Sequence, residues 1–390
     1  HHRSRSFNAA RTGEIYGKHY TIHWPNEEHD SARGIRRSPL YFLLKEKGAV
    51  FGAKYGWERP NWFAPDGVEP KDERTFEIPN WFDYVGGEHR AARENVVLID
   101  QSSFSKFEIE GPGALTFLNW LAANNIDKPV GSVTYTQLCN ALGTIEADIT
   151  IARMAEERFL LVTGTALGLH DSQCIKRHMP ADGSVKFRDV TSALAVINVI
   201  GPNSRKLMEK ITREDISNEN FRFGKCRDIT VGYAPTTALR VTFVGELGYE
   251  LYIPAEFACY VYETLWDAGQ ELGVANAGYR AINSLHFEKG YCLWGAELTP
   301  EYTPYDAGLG FCVALNKGDF LGRDALAKVK EQGPKLKLCT FTLDAQDPVM
   351  LRGSEPIIHN GKVIGVTTSC GYGYTVRKTI AFGYIPVAEA

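Results

Sequence analysis

The sequence lacks most of the patterns that announce a function. None of its eight cysteines forms a Cys-x-x-Cys pair. That scatter argues against zinc modules and a secreted disulfide framework, so the thiols read as reduced, in a reducing compartment. The expected location is the cytoplasm, or the mitochondrial matrix in a eukaryote. No apolar run approaches a membrane span. The start, His1-His2-Arg3-Ser4-Arg5-Ser6, has neither the apolar core of a secretory signal nor an initiator methionine, and reads as beginning inside a longer protein. A net charge of -4 over 390 residues gives no basic footprint for nucleic acid. No Gly-x-Gly-x-x-Gly or Gly-x-Ser-x-Gly occurs. Gly371-Tyr372-Gly373-Tyr374 opens no helix and is assigned to a turn, so no flavin or nicotinamide cradle is expected. His19, His23 and His29 lie near Glu27, Glu28 and Asp30, but no helical His-x-x-x-His spacing supports a metal there, and none is expected.

What is present centres on residues 240–254. Val241, Phe243, Leu251 and Ile253 alternate with their neighbours, which predicts two short strands joined at Gly245-Glu246-Leu247-Gly248. A carboxylate such as Glu250, held on a strand, can accept two parallel hydrogen bonds from the N–H/NH2 edge of an aminopyrimidine or pterin. A surface hairpin with solvated glutamates is the plainer reading, and this stretch alone favours it.

The length allows two or three domains. Residues 1–75 are dense in Arg, His, Trp and Pro and read as an accessory layer. It has a strand over His19–Pro25, a helix from Leu40 to Lys47 with Ser38 as N-cap, and an aromatic loop from Gly52 to Pro65. Residues 76–330 form the main unit. Its helices are expected at Glu88–Asn95, Gly113–Ala123, Asp171–His178, Ser204–Ile211, Phe257–Leu272 and Ala281–Lys289. A strand is expected over Val96–Phe107, and a meander over Thr134–Asn140, Thr144–Ala152 and Arg158–Thr163. Residues 331–390 alternate as short strands around an Asn360-Gly361 hairpin, as a small barrel would.

Asp148 is the catalytic candidate. Glu146, Asp148 and Thr150 share one strand face, where two carboxylates could tune each other's pKa. A solvent-facing polar strand is the plainer reading, and the pattern alone favours it. His286 reads either as a pocket residue or as a satisfied core histidine.

Together these stretches resemble the C-terminal part of dimethylglycine and sarcosine dehydrogenases, whose second half is similar to the aminomethyltransferase (T-protein) of glycine cleavage. The resemblance rests on Tyr20–Pro25, Arg37–Leu40, Gly56–Phe63, Thr134–Asp148, Gly245–Glu250, Gly278–Tyr291 and Gly371–Tyr374. It implies an α+β, three-domain ring-like folate-binding fold with a C-terminal β-barrel, preceded by a linker segment. It implies tetrahydrofolate in the central cavity, Asp148 beside its reactive nitrogens and Glu250 on the pterin edge. Phe243 stands where relatives have tyrosine, so a hydroxyl is lost. Tyr135 and Thr136 fall in the matching stretch, and Arg280 is a candidate for an arginine whose position here is Ile282. FAD would belong to a missing or partner domain. The implied role is to convert the one-carbon unit of an N-methyl amino acid to 5,10-methylenetetrahydrofolate. Two alternatives remain: a folate-dependent demethylase of O- or S-methyl donors, and a non-catalytic regulatory relative such as the regulatory subunit of pyruvate dehydrogenase phosphatase.

Overall fold

The computed structural model describes residues 4–390; His1, His2 and Arg3, part of the start read as lacking a signal sequence, lie outside the described residues. Two sheets form its centre. One has five antiparallel strands in the order Val133–Cys139, Ile145–Ala155, Arg158–Thr163, Ser105–Glu110, Lys186–Asp189. The other has six, in the order Cys226–Val231, Ala234–Leu239, Gly248–Pro254, Leu194–Ile200, Val96–Asp100, Val274–Asn276; only the last pair is parallel.

Side-chain alternation decides what each sheet faces. On Ile145–Ala155, Ala147, Ile149 and Ile151 enter a core shared with Phe117, Leu118 and Leu121 of the Ala114–Leu121 helix. Glu146, Asp148, Thr150 and Ala152 therefore face the other way. On Gly248–Pro254, Tyr249, Leu251 and Ile253 pack under the helices Ser204–Ile211 and Ala258–Gly269. Glu250 and Tyr252 take the opposite face. Those opposite faces meet: Ala152, Leu160 and Val162 of one sheet pack against Val196, Leu239 and Tyr252 of the other.

The C-terminal strands form an antiparallel sheet in the order Leu336–Thr342, Lys378–Pro386, Lys362–Gly373, Pro356–His359. Asn360 and Gly361 make its tight turn, with φ of 51° and 76°, as a type I′ hairpin requires. This sheet touches both central units. Phe382 and Ile380 pack on Phe287, at the end of the Tyr279–Phe287 helix. Tyr384 packs with Ile145 and Leu298. Three units in pairwise contact make a ring, and the α+β, ring-like arrangement expected above is what forms.

Several local expectations change. His19–Pro25 is not a strand: Tyr20 and Ile22 are 90% and 80% exposed, so no partner strand or core supports one. A helix, Arg5–Lys18, precedes it and has no fully buried residue. The next helix is Tyr41–Glu46 with Leu40 at the cap position, because the Ser38 hydroxyl is engaged by the Asp100 carboxylate. Residues 49–63 form a hairpin, Ala49–Lys54 with Trp57–Phe63, rather than a loop. Leu40, Leu44 and Ala49 join the largest core. The Val96–Phe107 strand is two strands in different sheets, Val96–Asp100 and Ser105–Glu110. Gly371 and Gly373 end a strand instead of forming a turn. Most relevant to the site, Val241–Leu247 is irregular. The strand that pairs with Gly248–Pro254 is Ala234–Leu239, in the register Leu239 to Glu250.

Candidate functional site

Asp148 and Glu250 lie on the confronting faces of the two sheets. Asp148 is four residues from the closed seam at Ala152, about 13 Å along a strand. Glu250 is two residues from Tyr252 in the same seam. Both are largely enclosed by protein yet keep some contact with solvent.

Among the described residues Asp148 accepts one hydrogen bond, from Gln137 Nε2 to Oδ1 at 2.8 Å, and the Tyr135 phenol stands near enough to favour the ionised carboxylate. Strand register explains both: Gln137 pairs with Asp148, and Tyr135 lies two residues away on the same face. Burial pushes the Asp148 pKa up to about 6, Tyr135 and Gln137 pull it down, and the Asp171 carboxylate pushes it further up. Burial and the neighbouring Asp148 raise the Tyr135 phenol well above its usual range, so it stays protonated.

At Glu250 the Tyr252 hydroxyl donates to Oε2 at 2.7 Å; no other hydrogen bond reaches this carboxylate among the described residues. Burial raises its pKa and Tyr252 opposes the shift. Its ladder partner Asn198 donates Nδ2 to Gln101 at 2.8 Å, leaving Asn198 Oδ1 buried and unpartnered among the described residues. Phe243 sits 5.2 Å from the His286 ring and 6.0 Å from Tyr291, centroid to centroid. His286 resolves between its two readings as a half-satisfied core residue. Its Nδ1 donates to the Tyr291 carbonyl at 2.8 Å, burial pushes its pKa down to about 4, and Nε2 has no partner among the described residues.

Two anticipated residues are not brought to this group. Thr136 occupies the opposite strand face from Tyr135, and its hydroxyl accepts the Asn124 N–H at 3.0 Å. Arg280 pairs instead with Asp72 at 2.5 Å and stacks 4.1 Å over Trp81. There it lines a cavity of about 660 Å³ between residues 25–33 and 70–81. The carboxylate that tunes Asp148 is Asp171, not the same-face Glu146, which accepts from Asn140 at 2.9 Å. Asp171 is fully buried at the start of a helix, held by Thr163 and by His170 Nδ1 at 2.9 Å. Gln137 was missed as well, although period-two alternation with Tyr135 signals it. Among the described residues no group of three or more His, Cys, Asp or Glu is placed to hold a metal ion, and no helix is long and apolar enough to cross a membrane.

Comparison with known proteins gives three family matches. The GCVT N-terminal domain matches residues 40–317, the glycine cleavage T-protein C-terminal barrel domain residues 337–390, and the FAD dependent oxidoreductase central domain residues 1–38. The chain is 42% identical to 4-methylaminobutanoate oxidase (formaldehyde-forming) of Paenarthrobacter nicotinovorans, over 97% of this chain and 46% of that protein. It is 38% identical to human mitochondrial dimethylglycine dehydrogenase, over 98% of this chain and 44% of that protein. It therefore spans about half the length of these curated relatives. Among solved structures, aminomethyltransferase T of the Bartonella henselae glycine cleavage system superposes with a TM-score of 0.77 at 26% identity, covering 91% of each chain.

Proposed function

The chain belongs to the glycine cleavage T-protein family, in its dimethylglycine/sarcosine dehydrogenase branch, and from that premise we propose that it is a tetrahydrofolate-binding one-carbon transfer module. Its product would be 5,10-methylenetetrahydrofolate. The one-carbon unit would come from oxidation of an N-methyl amino acid by a flavin domain or subunit, because Gly-rich dinucleotide motifs are absent from residues 1–390.

The observation that carries this reading is the pair of carboxylates on confronting sheet faces, Asp148 bonded to Gln137 and Glu250 to Tyr252, each through one oxygen. Glu250 suits a ligand. Glu250 Oε1 and the free Asn198 Oδ1 offer acceptors to an N–H/NH2 edge, and the Phe243 ring offers a flat wall. These residues fit a reduced pterin. When bound, tetrahydrofolate supplies the nitrogens that take up the carbon. Asp148 would accept the proton released as the new C–N bond forms, or stabilise the positive charge that precedes its loss. Gln137 would aim the carboxylate. The closed seam would keep water from the reacting group.

The test is direct: protein, tetrahydrofolate and formaldehyde, with folate products separated by chromatography. Acceleration of methylenetetrahydrofolate formation over the uncatalysed rate supports the proposal. No acceleration, with no folate bound by calorimetry, sinks it. Formation of 5-methyltetrahydrofolate from an O- or S-methyl donor would instead select the demethylase reading.

A further inference from the structure

The stretch leading into Glu250 is held from outside the sheet. From Phe243 to Glu246 no ladder supports the main chain. Among the described residues its backbone hydrogen bonds are two: Val244 N–H to the Thr242 hydroxyl at 3.1 Å, and Val244 C=O from Arg93 at 2.8 Å. Gly245 has φ of 74°, and a Cβ there would lie 2.5 Å from Lys289. The segment thus turns at a position only glycine fits and is poorly bonded by itself, yet it carries Phe243.

Arg93, at the end of the Phe82–Glu94 helix, supplies what is missing. Its Nη1 donates to Val244 O and to Glu246 at 2.7 Å. Its Nη2 donates to Leu285 O at 3.1 Å and to Glu288 at 3.2 Å. Glu288 in turn accepts the Thr375 and Val376 N–H groups at 2.8 and 3.2 Å, on the C-terminal sheet. His89, fully buried, joins Ser284 at 2.6 Å to Thr375 at 2.8 Å and lies 3.4 Å from Glu288. One guanidinium therefore ties the loop, the Tyr279–Phe287 helix and, through Glu288, the C-terminal sheet.

We infer that Arg93 is a positioning residue for the ligand-binding wall: it fixes the Val241–Leu247 segment so that Phe243 and Glu250 face the space opposite Asp148, and it registers that wall against the C-terminal sheet. This rests on the folate reading above. Burial pushes the Glu288 carboxyl upward, but His89 and Thr375 pull it down to about 2, so the partner of Arg93 stays ionised over the working pH range. A buried charge pair that loses one member leaves the other uncompensated, so the clamp is intolerant of substitution at Arg93. A planar guanidinium with four acceptors also has no equivalent in lysine.

The test compares Arg93→Met with Arg188→Met in the same chain; Arg188 pairs with the half-buried Glu108 and Glu110 from a 64% exposed position. Hydrogen exchange of the 241–247 amides, measured without ligand, should speed up roughly tenfold in R93M. Affinity for 5-formyltetrahydrofolate by calorimetry should fall about tenfold, with kcat at saturating folate within about threefold of the parent. R188M should match the parent in all three. Should R93M not fold, Glu246→Gln cuts only the loop end, with an expected rise in exchange of about threefold. Unchanged exchange in a folded R93M or E246Q overturns the clamp. A parent chain that binds no folate overturns the functional reading instead, and the exchange data still decide the clamp.

Discussion

The two confronting sheet faces carry the same chemical group with different neighbours. Asp148 accepts from Gln137, with the Tyr135 phenol nearby, and feels a second carboxylate, Asp171. Among the described residues Glu250 accepts from Tyr252 and has an unpartnered amide oxygen, that of Asn198, beside it. In the proposed reading Glu250, with one oxygen open and the Asn198 amide oxygen beside it, would grip a ligand's N–H edge, and Asp148, aimed by Gln137 and titrating at about 6, would take the proton.

The sharpest way to break that contrast is Asp148→Ala. It should lower the rate of methylenetetrahydrofolate formation by a factor on the order of 10³. The affinity for 5-formyltetrahydrofolate should change by less than about threefold, because the gripping wall is intact. A comparable loss of binding in the calorimeter would mean that the two walls are not divided in this way. Glu250→Ala comes next and should do the reverse. Losing a charge-assisted pair should weaken folate binding about a hundredfold, while turnover at saturation stays within an order of magnitude. Tyr252→Phe sharpens the contrast from the other side. Without its single donor the Glu250 carboxyl rises further in pKa and its charged form becomes scarcer. Folate affinity at pH 7 should fall about fivefold; unchanged affinity would remove Tyr252 from the account.

The division between the walls was only partly legible in the residues. Asp148 and Glu250 stand out because each sits on a regularly alternating strand, where neighbours fix the face. The same rule, applied strictly, excludes Thr136 and admits Gln137, since Tyr135 and Thr136 cannot share a face. Arg280 could not be placed from sequence. Its direction depends on Trp81 and Asp72, some two hundred residues away along the chain, which take up its stack and its charge. Val241 and Phe243 look like a strand because they alternate, but Arg240 and Gly224 are already hydrogen-bonded to each other and Gly245 forces a bend. Alternation reports burial on one side, not a partner strand. The ring itself follows from contacts such as Ile145 with Tyr384, which no local pattern encodes.

The smallest effect separates a tuned carboxylate from one that is merely buried. If Asp148 is the proton acceptor, the transfer rate should rise with pH through about 6, where its ionised form takes over. Asp171→Asn keeps an oxygen for His170 or Thr163 but removes the like charge. The Asp148 pKa should then fall, moving the acidic limb of the rate profile down by about half a unit. The variant would be slightly faster than the parent at pH 5.5 and equal to it at pH 8. The stability consequence has a definite sign. A carboxyl whose folded pKa lies above its unfolded value binds extra protons in the folded state, so its stabilising contribution is present at low pH and lost as pH rises through that interval. Asp171→Asn narrows the interval at Asp148, so that residue's share of the fall in urea midpoint between pH 4 and pH 7 should shrink. Asp171 is itself a buried carboxyl with a raised pKa, and its removal acts in the same direction. The rate profile is therefore the discriminating readout: an acidic limb that stays where it was would show that burial alone, and not the second carboxylate, sets the titration of Asp148.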